Sequence, residues 1–174
     1  MNVALTGFMG CGKTTYGRAA AELGGVPFYD LDDAVLEAYN DIFPEQQCSS
    51  VSEAFAAMGE AAFRNLETAT LRELLGGSEG AVIALGGGAV VREENRALLR
   101  QNCRLVWLRA SLDTCLENID ATYPRPLLQG KTKAQIEEMF ALRNEIYSSA
   151  ADCVIDTDAL TFRQIAESIL ATRI

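Results

Sequence analysis

The sequence predicts an α/β fold, a parallel sheet covered by helices on both faces. Three observations lead there. Short, near-continuous apolar runs recur at Val3–Leu5, Ala81–Leu85, Leu105–Leu108 and Cys153–Ile155, as strands do when both of their faces are buried. Helical patterns alternate with them, at Lys13–Leu23, Arg92–Arg100, Leu112–Ile119, Ala134–Tyr147 and Phe162–Thr172. A glycine-rich turn follows the first apolar run and opens the first helix.

The elements follow in order. Val3–Leu5 ends at Gly7, and the helix over Lys13–Leu23 meets a stop at Gly24-Gly25. Val26–Leu31 reads as a second strand with Pro27 at its start. Asp32–Leu75 shows helices but no strand, so it reads as a helical excursion above the sheet. Ala81–Leu85 runs into Gly86-Gly87-Gly88. The polar stretch 121–133, with Tyr123-Pro124-Arg125-Pro126, Gly130 and two lysines, reads as a mobile loop. With 174 residues and no repeat or low-complexity tract, the expectation is one domain.

Composition narrows the function. The hydrophobic fraction is 49% and the charged fraction 22%, ordinary globular usage. No run approaches the ~18 apolar residues of a membrane span, and no signal peptide is visible. A cytoplasmic protein is expected, and a monomer. The formal charge of −9, without a Lys/Arg cluster, argues against nucleic acid or anionic lipid as partner. Anionic small molecules would need the few spaced cations to converge. The five cysteines are odd in number and have no C-x-x-C pair, which speaks for reduced thiols rather than disulfides or zinc. Histidine is absent, so any general base is most simply a carboxylate or lysine.

Gly7-Phe8-Met9-Gly10-Cys11-Gly12-Lys13-Thr14 fits G-x-x-x-x-G-K-[ST]. Glycines let the backbone curl so that Gly10, Cys11, Gly12, Lys13, Thr14 and Thr15 turn N–H groups toward one centre, at the positive end of the following helix. Lys13 is placed to reach the β/γ-phosphates of ATP, and the Thr14 hydroxyl to bind Mg²⁺. Cys11 reads as a small residue tolerated in the loop. No N-K-x-D-type guanine reader exists, since none of the three lysines follows an asparagine; a GTPase is disfavoured.

On the acceptor side, Asp30 and Asp32 stand two apart at the end of the second strand and would share one side of an extended chain. One could join the Mg²⁺ shell and the other take a proton from a substrate hydroxyl. Asp32 or Asp33 could instead cap a helix starting near Ala34. Gly86–Gly88 suits a close backbone approach to a ligand. Arg64 with Glu67, and Arg143 with Tyr147, could be plain surface pairs at helical spacing.

Together these residues resemble shikimate kinase over nearly the whole chain. The pattern is Gly7–Thr14; Asp30-Leu31-Asp32; Gly59-Glu60 with Phe63-Arg64 and Glu67; Leu85–Ala89 followed by Asn95-Arg96; Arg125-Pro126-Leu127-Leu128; Arg143; and Asp156-Thr157. The P-loop is generic, but the D-x-D, G-E-x-x-F-R-x-x-E and G-G-G-A motifs are jointly specific. The resemblance implies a three-layer P-loop NTPase fold: a five-stranded parallel sheet, a helical substrate-binding excursion (32–75) and a mobile lid (121–133). It implies ATP-dependent phosphorylation of the shikimate 3-hydroxyl, with ATP and Mg²⁺. It makes Asp32 the base and Asp30 a member of the Mg²⁺ shell through water. Arg64 and Arg143 would hold the shikimate carboxylate, Glu67 would hold Arg64, and Gly86, Gly87 and Gly88 would line the pocket with Phe55 and Phe63. Arg125 would be the lid arginine that reaches ATP.

The chain departs from that family in three places. Between Asp32 and Phe55 the chain is several residues longer than the family pattern, and Tyr39–Cys48 lacks the usual short glycine turn. Asn144-Glu145-Ile146 replaces a Pro-Leu before Tyr147. No arginine stands near Leu116–Asn118 to stack on adenine, which leaves Asp156-Thr157 as candidates. A sibling small-molecule kinase, such as a gluconate kinase, would share the P-loop and lid but has less use for two pocket arginines. A non-catalytic nucleotide-binding regulator would not need Asp32, Lys13 and Arg125 all intact.

Overall fold

The computed structural model describes residues 1–119, 128 and 130–173. Five strands form one parallel sheet in the order β2-β3-β1-β4-β5. They are β1 (Asn2–Thr6), β2 (Phe28–Asp30), β3 (Val82–Ala84), β4 (Cys103–Arg109) and β5 (Cys153–Asp156). The helices are α1 (Lys13–Gly24), α2 (Leu31–Ile42), α3 (Val51–Met58), α4 (Glu60–Gly77), α5 (Glu93–Asn102), α6 (Leu112–Glu117), α7 (Lys133–Ala150) and α8 (Phe162–Ala171). Short 3₁₀ turns occupy Pro44–Gln46 and Ala89–Val91.

Register follows burial. Leu5 of the central strand pairs with Ala84 on one side and Val106 on the other. All five residues of β1 and all three of β3 are buried, which is why these runs read as unbroken apolar segments instead of alternating ones. α1 packs on α8, whereas α5 and α7 pack on β4. Gly17 lets α1 sit close: a Cβ there would lie 2.8 Å from Phe28 and 2.9 Å from Leu5. Trp107 meets Tyr147 of α7 with ring centroids 6.2 Å apart.

The chain leaves β1 for the β3–β2 side, then returns past it to β4 and β5. The crevice where that direction reverses, at the carboxyl ends of the strands, is where open α/β sheets bind ligands. The loop after β1 lies there. The 32–75 excursion is helical as expected, built from α2, α3 and α4.

One local expectation needs correction. The second strand ends at Asp30, and Leu31 already begins α2. Asp30, not Asp32 or Asp33, is the N-cap: its Oδ1 accepts the Asp32 N–H at 3.0 Å. Asp32 therefore belongs to a first helical turn, and the period-two argument does not apply to the pair. A capping aspartate satisfies an orphan N–H that an extended chain would leave to a neighbouring strand, and β2, at the sheet edge, has only β3 as neighbour.

Candidate active site

Two clefts open at the carboxyl end of the sheet and share a wall of Met9, Asp32 and Gly87. The first is lined by Phe8, Val51, Ser52, Phe55, Phe63, Arg64, Glu67, Gly86, Gly88, Met139, Arg143 and Tyr147. The second is lined by Gly10, Gly12, Lys13, Thr14, Thr15, Tyr16, Asp30, Leu85, Asn118 and Phe162.

The second cleft is the glycine loop. Gly7, Gly10 and Gly12 all have positive φ, at 146°, 79° and 94°, which explains the glycine spacing. A Cβ on Gly10 would also lie 2.1 Å from the Cys115 carbonyl oxygen. Lys13 Nζ donates to the carbonyls of Gly7 (2.8 Å) and Phe8 (3.1 Å), so the ammonium folds back over its own loop. Thr14 Oγ1 donates to Asp30 Oδ2 at 2.6 Å. Hydroxyl and carboxylate oxygens suit a hard divalent cation. Among the described residues no cluster of three or more His, Cys, Asp or Glu could hold a metal; a cation here would complete its shell with phosphate and water oxygens, as Mg²⁺ commonly does. Cys11 is buried in the loop, and burial pushes the nearby Cys115 thiol up to about 12.

The first cleft gathers cations. Arg64 Nη1 bonds both carboxylate oxygens of Glu67 at 2.9 Å. Glu67 is only 2% exposed. Burial pushes its carboxyl above the usual range, while Arg64, Arg143 and Arg92 pull the other way. Arg92 fixes the α4 backbone behind this pair, donating to the Arg64 carbonyl at 2.8 Å and to Thr68 Oγ1 at 3.1 Å. Arg143 Nη1 and Tyr147 Oη both donate to the Gly87 carbonyl, at 3.0 and 2.6 Å. Phe55 and Phe63 make an edge-on aromatic wall with centroids 5.1 Å apart.

Gly86 and Gly88 have a packing reason for glycine beside the expected close approach of a ligand. None of Gly86, Gly87 and Gly88 has positive φ, so the backbone conformation does not demand glycine. Space does. A Cβ at Gly86 would lie 2.5 Å from Asp32 Oδ1, and one at Gly88 would lie 2.5–2.9 Å from the Arg64 guanidinium.

The fold thus brings Asp30, Asp32, Lys13, Thr14, Arg64, Gly86–Gly88 and Arg143 to one crevice. Arg125 lies outside the described residues, as does most of the 121–133 lid. Asp156-Thr157 are tied to Arg109 and line neither cleft. Tyr16 and Phe162, with ring centroids 5.4 Å apart, line the second cleft, and the sequence reading did not single them out. Phe162 is 52% exposed; an aromatic at the solvent-facing start of an amphipathic helix was the available signal.

A family model for shikimate kinase matches residues 9–173. The chain belongs to the shikimate kinase family. A shikimate kinase from Marinomonas sp. (strain MWYL1) is 37% identical over 171 residues, 97% of this chain and 90% of that relative. The solved shikimate kinase from Acinetobacter baumannii, in complex with shikimate, superposes with a TM-score of 0.82 at 33% identity. That match covers 97% of this chain and 90% of that one. A gluconokinase from Sinorhizobium meliloti 1021 matches at TM-score 0.58 and 18% identity, covering 99% and 90%; it shares the fold alone. Membership of the shikimate kinase family makes the chain a phosphotransferase that uses ATP. No described helix is long and apolar enough to cross a membrane.

Proposed function

We propose that this chain is one kinase domain that transfers the γ-phosphoryl group of ATP to the 3-hydroxyl of shikimate, with Mg²⁺. The observation that carries the reading is Asp32, which lies on the wall shared by the glycine-loop cleft and the arginine-lined cleft.

The second cleft takes the nucleotide. Its loop N–H groups and the α1 N-terminus cradle the β- and γ-phosphates. Lys13 exchanges the Gly7 and Phe8 carbonyls for phosphate oxygens. Tyr16 and Phe162 offer aromatic faces to the base. Thr14 and Asp30 would hold Mg²⁺, Asp30 through water, and the bound ion supplies charge neutralisation on the phosphates. Arg125 is assigned to the same task from the lid.

The first cleft takes shikimate. Arg64 and Arg143 offer two planar donor forks to its carboxylate, and Gly86–Gly88 leave room for its ring. Asp32 accepts the proton of the attacking hydroxyl as the new O–P bond forms. The γ-phosphorus–oxygen bond to ADP breaks in line. Placing both substrates against one wall supplies most of the rate, because phosphoryl transfer asks chiefly for position and charge.

The test is ADP release from purified protein with ATP and Mg²⁺, comparing shikimate, gluconate, nucleoside monophosphates and no acceptor. Stimulation by shikimate alone is expected. Intact ATP binding without shikimate stimulation would redirect the search to another hydroxyl acceptor.

A further inference from the structure

α3 forms one wall of the acceptor cleft. It has 8 residues and buries only Ala54 fully, yet it presents Val51, Ser52 and Phe55 to the cleft. A helix this short has little stability of its own, so outside contacts must place it.

A run of hydrogen bonds starting on α2 does so. Asn40 Nδ2 donates to the Cys48 carbonyl at 3.0 Å, and Asn40 Oδ1 accepts the Cys48 N–H at 2.8 Å. One side-chain amide thus satisfies both polar groups of one peptide residue, as a neighbouring strand would. The next residue continues the run. Ser49 N–H and Oγ both donate to the Glu53 carboxylate, at 2.8 and 3.0 Å. Ser50 Oγ then caps α3 by accepting the Glu53 N–H at 3.2 Å. The outer span differs. Residues 43–47 are exposed, and the turn Pro44–Gln46 buries nothing. Residues 43–47 therefore form a solvent-facing arch whose inner foot is held by Asn40.

We infer that Asn40 is a positioning residue for the acceptor: through Cys48 it sets where α3 begins, and so where Val51, Ser52 and Phe55 stand against bound shikimate. Asn40 itself does not line the cleft. The nucleotide cleft takes no residue from 40–58, so the effect is one-sided. The inference rests on the acceptor assignment made above.

The test is steady-state kinetics on Asn40→Ala and Asn40→Asp in the full chain, with thermal unfolding alongside. Each substrate is varied with the other saturating. Asn40→Ala is expected to raise KM for shikimate roughly five- to tenfold, the scale of one lost side-chain bonding pair. KM for ATP should stay within about twofold. Asn40→Asp keeps the acceptor for the Cys48 N–H but loses the donor, and should fall between. Glu45→Ala, in the exposed arch, should match the wild type. An equal rise in both KM values, or an unmoved shikimate KM in folded Asn40→Ala, overturns the inference. If Asn40→Ala does not fold, the same criterion applied to Asn40→Asp decides. Wild-type protein without shikimate-dependent turnover overturns the acceptor assignment and this inference together; wild-type turnover with unmoved variants overturns this inference alone.

Discussion

Glu67 carries its carboxyl in a buried place. It is a buried carboxylate beside three arginines, and burial wins over them: its carboxyl titrates above the ordinary value of 4.5. A raised acid binds its proton more tightly in the native state than in the unfolded chain. Ionised Glu67 therefore costs stability above that raised value, and the cost vanishes as pH falls below the unfolded one. For ligand binding the sign is opposite. Protonation removes the charge that holds the Arg64 guanidinium, so kcat/KM for shikimate should fall as pH drops through the raised Glu67 value. In Glu67→Gln that acid limb should disappear, from a lower plateau. Superimposable wild-type and variant profiles would remove Glu67 from this role. Asp32 makes a simpler case. Under the proposed mechanism Asp32→Asn loses the proton acceptor without losing shape, so turnover should drop by about 10²–10⁴-fold while ATP affinity, read by calorimetry, stays near wild type. Unchanged turnover would release Asp32 from the base role. The sequence made these residues visible as types, but it misjudged the arrangement of Asp30 and Asp32. A two-residue spacing fits both a strand and the cap of a helix, and only the hydrogen bond from Asp32 N–H to Asp30 chooses between them.

At the scale of elements, the glycine turn after β3 is where four helices meet. Asp32 of α2 and Arg64 of α4 occupy the space that side chains at Gly86 and Gly88 would take. Arg143 and Tyr147 of α7 fasten the Gly87 carbonyl. Asn95 of α5 holds the following turn through the Ala89 carbonyl at 2.8 Å. Sequence showed the glycines but not the crowding at Gly86 and Gly88, because Asp32 and Arg64 lie 20 to 60 positions away and leave no local trace. The strands and helices were legible for the opposite reason: burial on both faces and the 3.6-residue period are written in neighbouring residues. The α7 contact yields a prediction. Arg143→Ala removes one charged fork from the proposed shikimate carboxylate site and one donor from Gly87. Shikimate affinity should weaken by about 1.5–3 kcal/mol, with ATP affinity little changed. An equal loss for ATP would move Arg143 to the nucleotide side. Gly88→Ala should resemble it in direction, since the new methyl displaces Arg64 while the backbone φ of −102° tolerates alanine.

The whole molecule carries a charge of −9 yet handles anionic substrates. Under the proposed assignment it does so by concentrating Lys13, Arg64 and Arg143 around one crevice, while other arginines pair with acids at the surface, as Arg72 with Glu94 and Arg163 with Glu167. Such exposed pairs contribute little to stability; in the crevice Arg64 is held by buried Glu67 and Lys13 by loop carbonyls, with both cations lining the clefts. The two clefts share one wall but draw on different elements, α1 and α8 for the glycine-loop cleft, α3, α4 and α7 for the arginine-lined cleft. Ligand stabilisation should therefore separate by site. ADP with Mg²⁺ at about 100 times its Kd adds about 2.7 kcal/mol, or roughly 5–10 °C in Tm for a chain of this size. Shikimate at the same ratio should add a comparable shift by itself. Lys13→Ala should lose most of the ADP shift and keep the shikimate shift; Arg64→Ala should do the reverse. Loss of both shifts in either folded variant would mean that the clefts bind as one unit, with the shared wall of Met9, Asp32 and Gly87 ordering only when both are filled.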